Sequence, residues 1–313
     1  MQNFRNILFV SDGLTDDLHA LQQALSIARN NKAQLRALIV CPEFPKELAK
    51  DRERYQTSLI QQLNASIQAA RKETGVSETE FPVQIEVESG STPSVRIIRH
   101  VLKHAHDLVI KDAERNQGAR GFAAMDMELL RKCPCPVWLS RPIPKHRGDI
   151  KLAVAIDPQS HEPEGRDLSL RLLQLSRSVA DTCSGELTII ACWDYPLEEY
   201  LRNNSWINMP DDELIQTVIK AQTQHRAALN KTMKQSGIGG KVQVQHVRGR
   251  ADQIIPQFIA DGDIDILVMG TVGRTGIPGF IIGNTAENVV QKLSCSLLAL
   301  KPNGFVSPVK AYR

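Results

Sequence analysis

Residues 6–12 read Asn-Ile-Leu-Phe-Val-Ser-Asp, and residues 151–157 read Lys-Leu-Ala-Val-Ala-Ile-Asp. Each is a short apolar run ending in an aspartate, Asp12 in the first and Asp157 in the second. A polar loop and a helical pattern follow in both places, over residues 17–30 and 167–181. The order of landmarks then repeats. Second strands are predicted at 34–41 and 186–192, and both run into an acidic, proline-bearing segment and a long polar helix. Alternating strands at 83–88 and 242–247 end at glycine turns, Gly90 and Gly249. An amphipathic helix leads to a fourth strand at 106–111 and 264–269, and a last helix and strand close each copy. Recurrence of this kind in a fixed order marks a tandem duplication.

Each copy reads β-α-β-α-β-α-β-α-β. Strands that alternate with helices imply parallel pairing with helices on both faces. Nearly continuous apolar runs suit strands buried on both sides. Right-handed crossovers then give an α/β fold of two open, doubly wound sheets, with five mainly parallel strands each. The two domains are placed at residues 1–145 and 150–306. The link over 142–149 carries Pro142 and Pro144 and no apolar period.

The totals narrow the function classes. The chain has 313 residues, enough for about two domains, with 42% apolar and 23% charged residues. A net charge of +3 does not call for nucleic acid. No stretch approaches the roughly 20 apolar residues of a membrane span. The start of the chain lacks the pattern of a secretory signal. Six cysteines are too few for a disulfide scaffold. A cytoplasmic location is expected.

The copies differ after their fourth strands. The second has Gly270-Thr-Val-Gly273-Arg-Thr-Gly276-Ile-Pro-Gly279-Phe-Ile-Ile-Gly283-Asn-Thr-Ala-Glu287. It follows a parallel strand and precedes a helix, where open α/β sheets bind ligands. Glycines let a backbone approach phosphate closely, and a helix start offers free N–H groups. Asn284 with Glu287 has the spacing of a capping box, which places the N-cap at Asn284. The Asn284 amide or the Thr285 hydroxyl is also suited to a phosphate oxygen, and Arg274 to its charge. The loop has neither the Gly-Lys-Ser/Thr ending of a Walker motif nor the spacing of a dinucleotide fingerprint. The first copy instead has Asp112 where Gly270 stands, and Ala123, Ala124 and Met125 where Gly283, Asn284 and Thr285 stand. Asp112 and Glu114 put negative charge where a phosphate would sit, so this copy is expected not to bind ATP in the same manner.

The spacing of Gly270, Gly273 and Gly283 resembles that of ATP-binding members of the universal stress protein family, as does the tandem layout of the whole chain. Position 284 departs from the family's Ser or Thr, with Thr285 one place late. The resemblance implies the nucleotide α-hydrolase type of fold and ATP as ligand, with or without Mg2+. It implies that Asp157 and the region of Ile190 and Ala191 hold the adenine. Gly249 and Arg250 would approach the ribose and phosphates. It also implies a stress-response role exercised by binding, with at most slow hydrolysis.

Other constellations carry less. His100, His104 and His106 cluster, with the first two at the i, i+4 spacing of metal ligands. No carboxylate-and-cysteine set lies near them in sequence, and histidine at a helix C-terminus has an electrostatic reason to be there. Cys133-Pro-Cys135 is too closely spaced for a Cys-x-x-Cys motif. No nucleophile–base constellation occurs. An enzyme of adenylate chemistry would need a histidine motif near the first strand, and neither copy has one. A scaffold whose clefts hold another ligand is the remaining alternative. The last strands, 137–140 and 297–300, are expected to pair within one chain, and association of two chains into a homodimer is left open.

Overall fold

Ten strands and nine α-helices occur among the described residues of the computed structural model, which are 4–114, 120–160, 162–203, 209–272 and 282–311. The first half runs β1 (Asn6–Ser11), α1 (Leu18–Asn31), β2 (Gln34–Cys41), α2 (Arg52–Thr74) and β3 (Val83–Ser89). It continues through α3 (Pro93–His104), β4 (Leu108–Asp112), α4 (Ala124–Lys132) and β5 (Val137–Ser140). The second half runs β6 (Lys151–Ala155), α5 (Pro163–Cys183), β7 (Glu186–Trp193), α6 (Leu197–Asn203), α7 (Asp211–Ser236) and β8 (Val242–Arg248). It ends with α8 (Ala251–Asp261), β9 (Ile266–Gly270), α9 (Asn284–Val290) and β10 (Ser296–Leu300).

All ten strands belong to one sheet, in the order β3-β2-β1-β4-β5-β10-β9-β6-β7-β8. Within each half every pairing is parallel. The burial along the sheet follows the composition of each strand. β1 is covered from Ile7 onward, and β10 along its whole length. The alternating strands β3 and β8 take the two outer edges, where only partial cover is available.

Helices cover both faces. In α1 the buried residues Leu21, Ala24, Leu25 and Ala28 recur at helical spacing and form one stripe. The chain leaves α1 through Lys32 in the left-handed region at φ 51°, and it leaves α3 through Ala105 in the same way at φ 52°. Two apolar layers result, one on each face, and each runs through both halves.

The join between the halves is a strand pair. β10 and β5 are antiparallel, with Leu297 opposite Leu139, Leu298 opposite Trp138 and Ala299 opposite Val137. Polar contacts reinforce it. The Arg141 N–H donates to Ser296 Oγ at 2.9 Å, and the Gly121 N–H donates to Leu293 O at 2.8 Å. Gly121 sits at φ 79°, and a Cβ there would lie 2.6 Å from Gln291 O, so only glycine fits. The last strands therefore pair within one chain. None of the helices of the described residues is long and apolar enough to cross a membrane.

Candidate functional site

In the second half the strand order is β10-β9-β6-β7-β8, so the chain reverses its direction of winding between β6 and β9. Ligands of open α/β sheets sit outside the carboxyl ends of the strands at such a switch point. Asp157 stands two residues beyond β6. It is exposed, and its Oδ1 accepts from the Gln159 N–H at 2.9 Å, while its backbone oxygen accepts from Ser169 Oγ at 3.0 Å. Gly270 ends β9 beside it. A Cβ on Gly270 would lie 2.7 Å from Leu168 Cδ2, so glycine here lets α5 pack against the strand end.

The chain leaves the sheet at Thr271, which donates to Leu300 O at 2.9 Å. It returns at Gly283, whose N–H donates to Thr271 O at 2.8 Å. The two described ends of the glycine-rich segment, Thr271 and Gly283, thus meet beside the switch point. Gly273 and Arg274 lie outside the described residues. Gly283, not Asn284, is the N-cap of α9, with φ −77° and ψ 144° and no side-chain capping bond. The expected capping box is absent: with Gly283 as N-cap, Glu287 falls one place beyond N3, and its carboxylate pairs with Arg131 of α4 across the join between the halves. Asn284 and Thr285 are then the first helical residues, and both are exposed.

The remaining predicted residues come from β7 and the turn after β8. Ile190 and Ala191 lie inside β7 with fully covered side chains, 1% and 0% exposed. The end of that strand presents Trp193, beside which His246 stacks at 6.0 Å and the Arg248 guanidinium lies 5.4 Å from the ring centre. His225 Nδ1 and His246 Nε2 are 2.9 Å apart, and burial lowers the pKa of both rings. Gly249 has φ 137°, and its N–H donates to Trp193 O at 2.8 Å. Arg250 caps α8 and forms a two-pronged contact with Asp252, at 3.2 and 3.0 Å. Asp252 also accepts from Asn288 Nδ2 of α9 at 3.2 Å, which ties the Gly249 turn to the helix behind the loop.

The first half presents a different cleft at its switch point between β1 and β4. It encloses about 420 Å³ and is lined among others by Asp12, Asp17, Lys111, Asp112 and Glu114. Lys111 Nζ donates to Asp126 Oδ1 at 2.7 Å, and Asp126 Oδ2 accepts from the Glu114 N–H at 2.9 Å. Both members of this ion pair are buried. Burial raises the carboxyl of Asp17 to about 6, against the hydrogen bond from Ser11, and it also raises Glu114. Ala123 is the N-cap of α4, as Gly283 is of α9. Counting from these caps and along β4 and β9, Met269 and Ala286 occupy the places of Lys111 and Asp126. Sequence reading missed this pair. Its signal was a lysine at the end of an apolar strand, facing an aspartate that the other copy replaces with alanine.

The comparisons agree with this architecture. Residues 3–141 and 151–301 each match the universal stress protein family. The chain is 32% identical to universal stress protein E of Salmonella typhi over 327 residues, covering 99% of this chain and 98% of the relative. Against universal stress protein E of Escherichia coli K12 the identity is 30% over 324 residues, with 99% and 98% covered. A crystal structure of a putative universal stress protein from Pseudomonas aeruginosa UCBPP-PA14 superimposes with a TM-score of 0.68 at 24% identity. The match covers 96% of this chain and 95% of the other, which extends the likeness of fold to the tandem arrangement. With both of its halves matched, the chain belongs to the universal stress protein family.

Proposed function

We propose that this is a cytoplasmic stress-response protein that binds ATP or a related nucleotide in residues 150–306. It acts through binding rather than turnover. The observation that carries the reading is the contrast between the two switch points. In the first half a buried Lys111–Asp126 pair and five further carboxylates, Asp12, Asp16, Asp17, Asp112 and Glu114, occupy the region. In the second, the uncharged Met269 and Ala286 stand in the places of that pair, and the ends of the glycine-rich segment are tied together at Thr271 and Gly283. The residues present fit a polyphosphate. Among the described residues, a Cβ on Gly283 would meet only Thr271 O, at 3.7 Å, an ordinary van der Waals contact. Arg250 and Arg274 supply positive charge, and Asn284 and Thr285 supply exposed polar side chains at the return of the loop. Residues 1–145 serve as a structural partner.

The test is thermal unfolding of the full chain with MgATP, alongside Gly283→Val. Ligand at 100 times its Kd stabilises by about 2.7 kcal/mol. The backbone angles of Gly283 are open to any L-residue, so the variant should fold with little loss of stability and lose the ATP-dependent shift. Absence of any shift or calorimetric signal in the parent protein would sink the nucleotide assignment.

A further inference from the structure

The chain reversal after α3 builds a second constellation, far from either switch point along the strands. His100 and His104 lie one turn apart on α3. Ala105, at φ 52°, turns the backbone so that His106 comes back beneath the helix. Its ring stacks on that of His100, with centres 5.1 Å apart and planes 8° from parallel. The rings of His100 and His104 are 4.4 Å apart. Glu86, in the edge strand β3, completes the group from across the sheet. Its Oε1 faces Arg36 at 3.5 Å and its Oε2 faces His100 Nε2 at 3.4 Å.

These groups are poorly partnered. His100 and His106 are buried, 2% and 4% exposed, yet His100 Nδ1 and His106 Nε2 make no hydrogen bond, and neither does His104 Nε2. A buried polar atom without a partner costs about 1–3 kcal/mol, so three in one cluster call for a reason.

We infer that Glu86, His100 and His104 form a binding site for one divalent transition-metal ion, of which zinc is the best fit. One ligand atom from each residue lies within 4.8 Å of the other two. Tetrahedral ligands about 2.0–2.1 Å from zinc are about 3.4 Å apart, a gap that side-chain rotation closes. Two imidazoles and a carboxylate suit zinc and its neighbours in the transition series better than magnesium or calcium. The fourth position is left to water. Glu86 gives access from solvent, its side chain being 42% exposed at the sheet edge. The site is independent of the nucleotide reading, since no residue is shared.

Cobalt is the probe of choice, because its visible spectrum reports coordination directly. The full chain, stripped with a chelator and returned to neutral pH, should bind one cobalt ion per chain with the intense bands of a four-coordinate site. Zinc should displace it, and elemental analysis should find one zinc per chain. Glu86→Gln and His104→Gln should each weaken binding by roughly tenfold or more. Both change partly exposed side chains, and the unfolding midpoint of each metal-free variant checks its fold. His225→Gln removes the other close histidine pair and should leave the spectrum unchanged. The inference is overturned if stoichiometric metal does not bind, if both cluster variants bind as the parent does, or if His225→Gln alone abolishes binding.

Discussion

Lys111 and Asp126 show how a pair of residues can change the buried charge at one point of a shared fold. Each is buried, and each satisfies the other together with a backbone group, Asp112 O in one case and the Glu114 N–H in the other. Removing one partner of such a pair strands a charge, at a cost of roughly 3–5 kcal/mol, whereas replacing both by apolar groups is often close to neutral. Asp126→Ala should therefore destabilise strongly in urea unfolding. The double variant Lys111→Met with Asp126→Ala, which copies Met269 and Ala286, should recover most of the loss. Additive losses in the double variant would show that the ion pair itself does not explain the effect. Asp17 gives a second prediction at this scale, this one a matter of pH. Its carboxyl ionises near 3.8 in the unfolded chain and near 6 in the folded one. The folded state binds the extra proton, so this stabilisation is complete below 3.8 and is lost as pH rises through 6. Asp17→Asn keeps an acceptor for the Ser11 hydroxyl and removes the ionisation. It should exceed the parent in stability at pH 8 by about 2–3 kcal/mol and lose that advantage at pH 4. Equal differences at the two pH values would count against the argument.

Among the elements, helix starts and strand edges explain where sequence and structure part. The second copy keeps a helix after its loop, but Gly283 rather than Asn284 is its N-cap, and Glu287 pairs with Arg131 instead of capping. That ion pair couples α9 to α4 and so couples the helix behind the glycine-rich loop to the other half. The strands were legible from their apolar runs, and the edge positions of β3 and β8 follow from their alternation. The edge position of β3 has a further consequence. It leaves room for Glu86 to stand beside histidines 14 and 18 positions away in the chain, which local spacing does not show.

For the whole molecule, the antiparallel pairing of β5 and β10 is decisive. It places the two terminal strands of the halves at the centre of one ten-stranded sheet and leaves β3 and β8 as the outer edges. Any association of two chains must then use a surface other than β5 and β10. Residues 1–145 expressed alone would expose β5, a strand of four buried residues, as an open edge. That fragment should self-associate or capture residues 150–306 when mixed with them, as read by light scattering coupled to size exclusion. A stable, monomeric fragment that ignores its partner would show that the strand pair contributes little.

The sequence alone determined the duplication, the order of strands and helices, the place of the glycine-rich loop and the loss of its glycines from the first copy. Those features rest on local periodicity and on the direct alignment of two copies, both of which a linear reading can hold. Tertiary structure alone decided that the sheets merge through β5 and β10, that Lys111 and Asp126 neutralise each other, and that Glu86 meets the histidines of α3. Each of these joins residues brought together by chain crossovers. Burial then makes them matter, since a charge or an imidazole away from water must find a partner or carry the cost of lacking one.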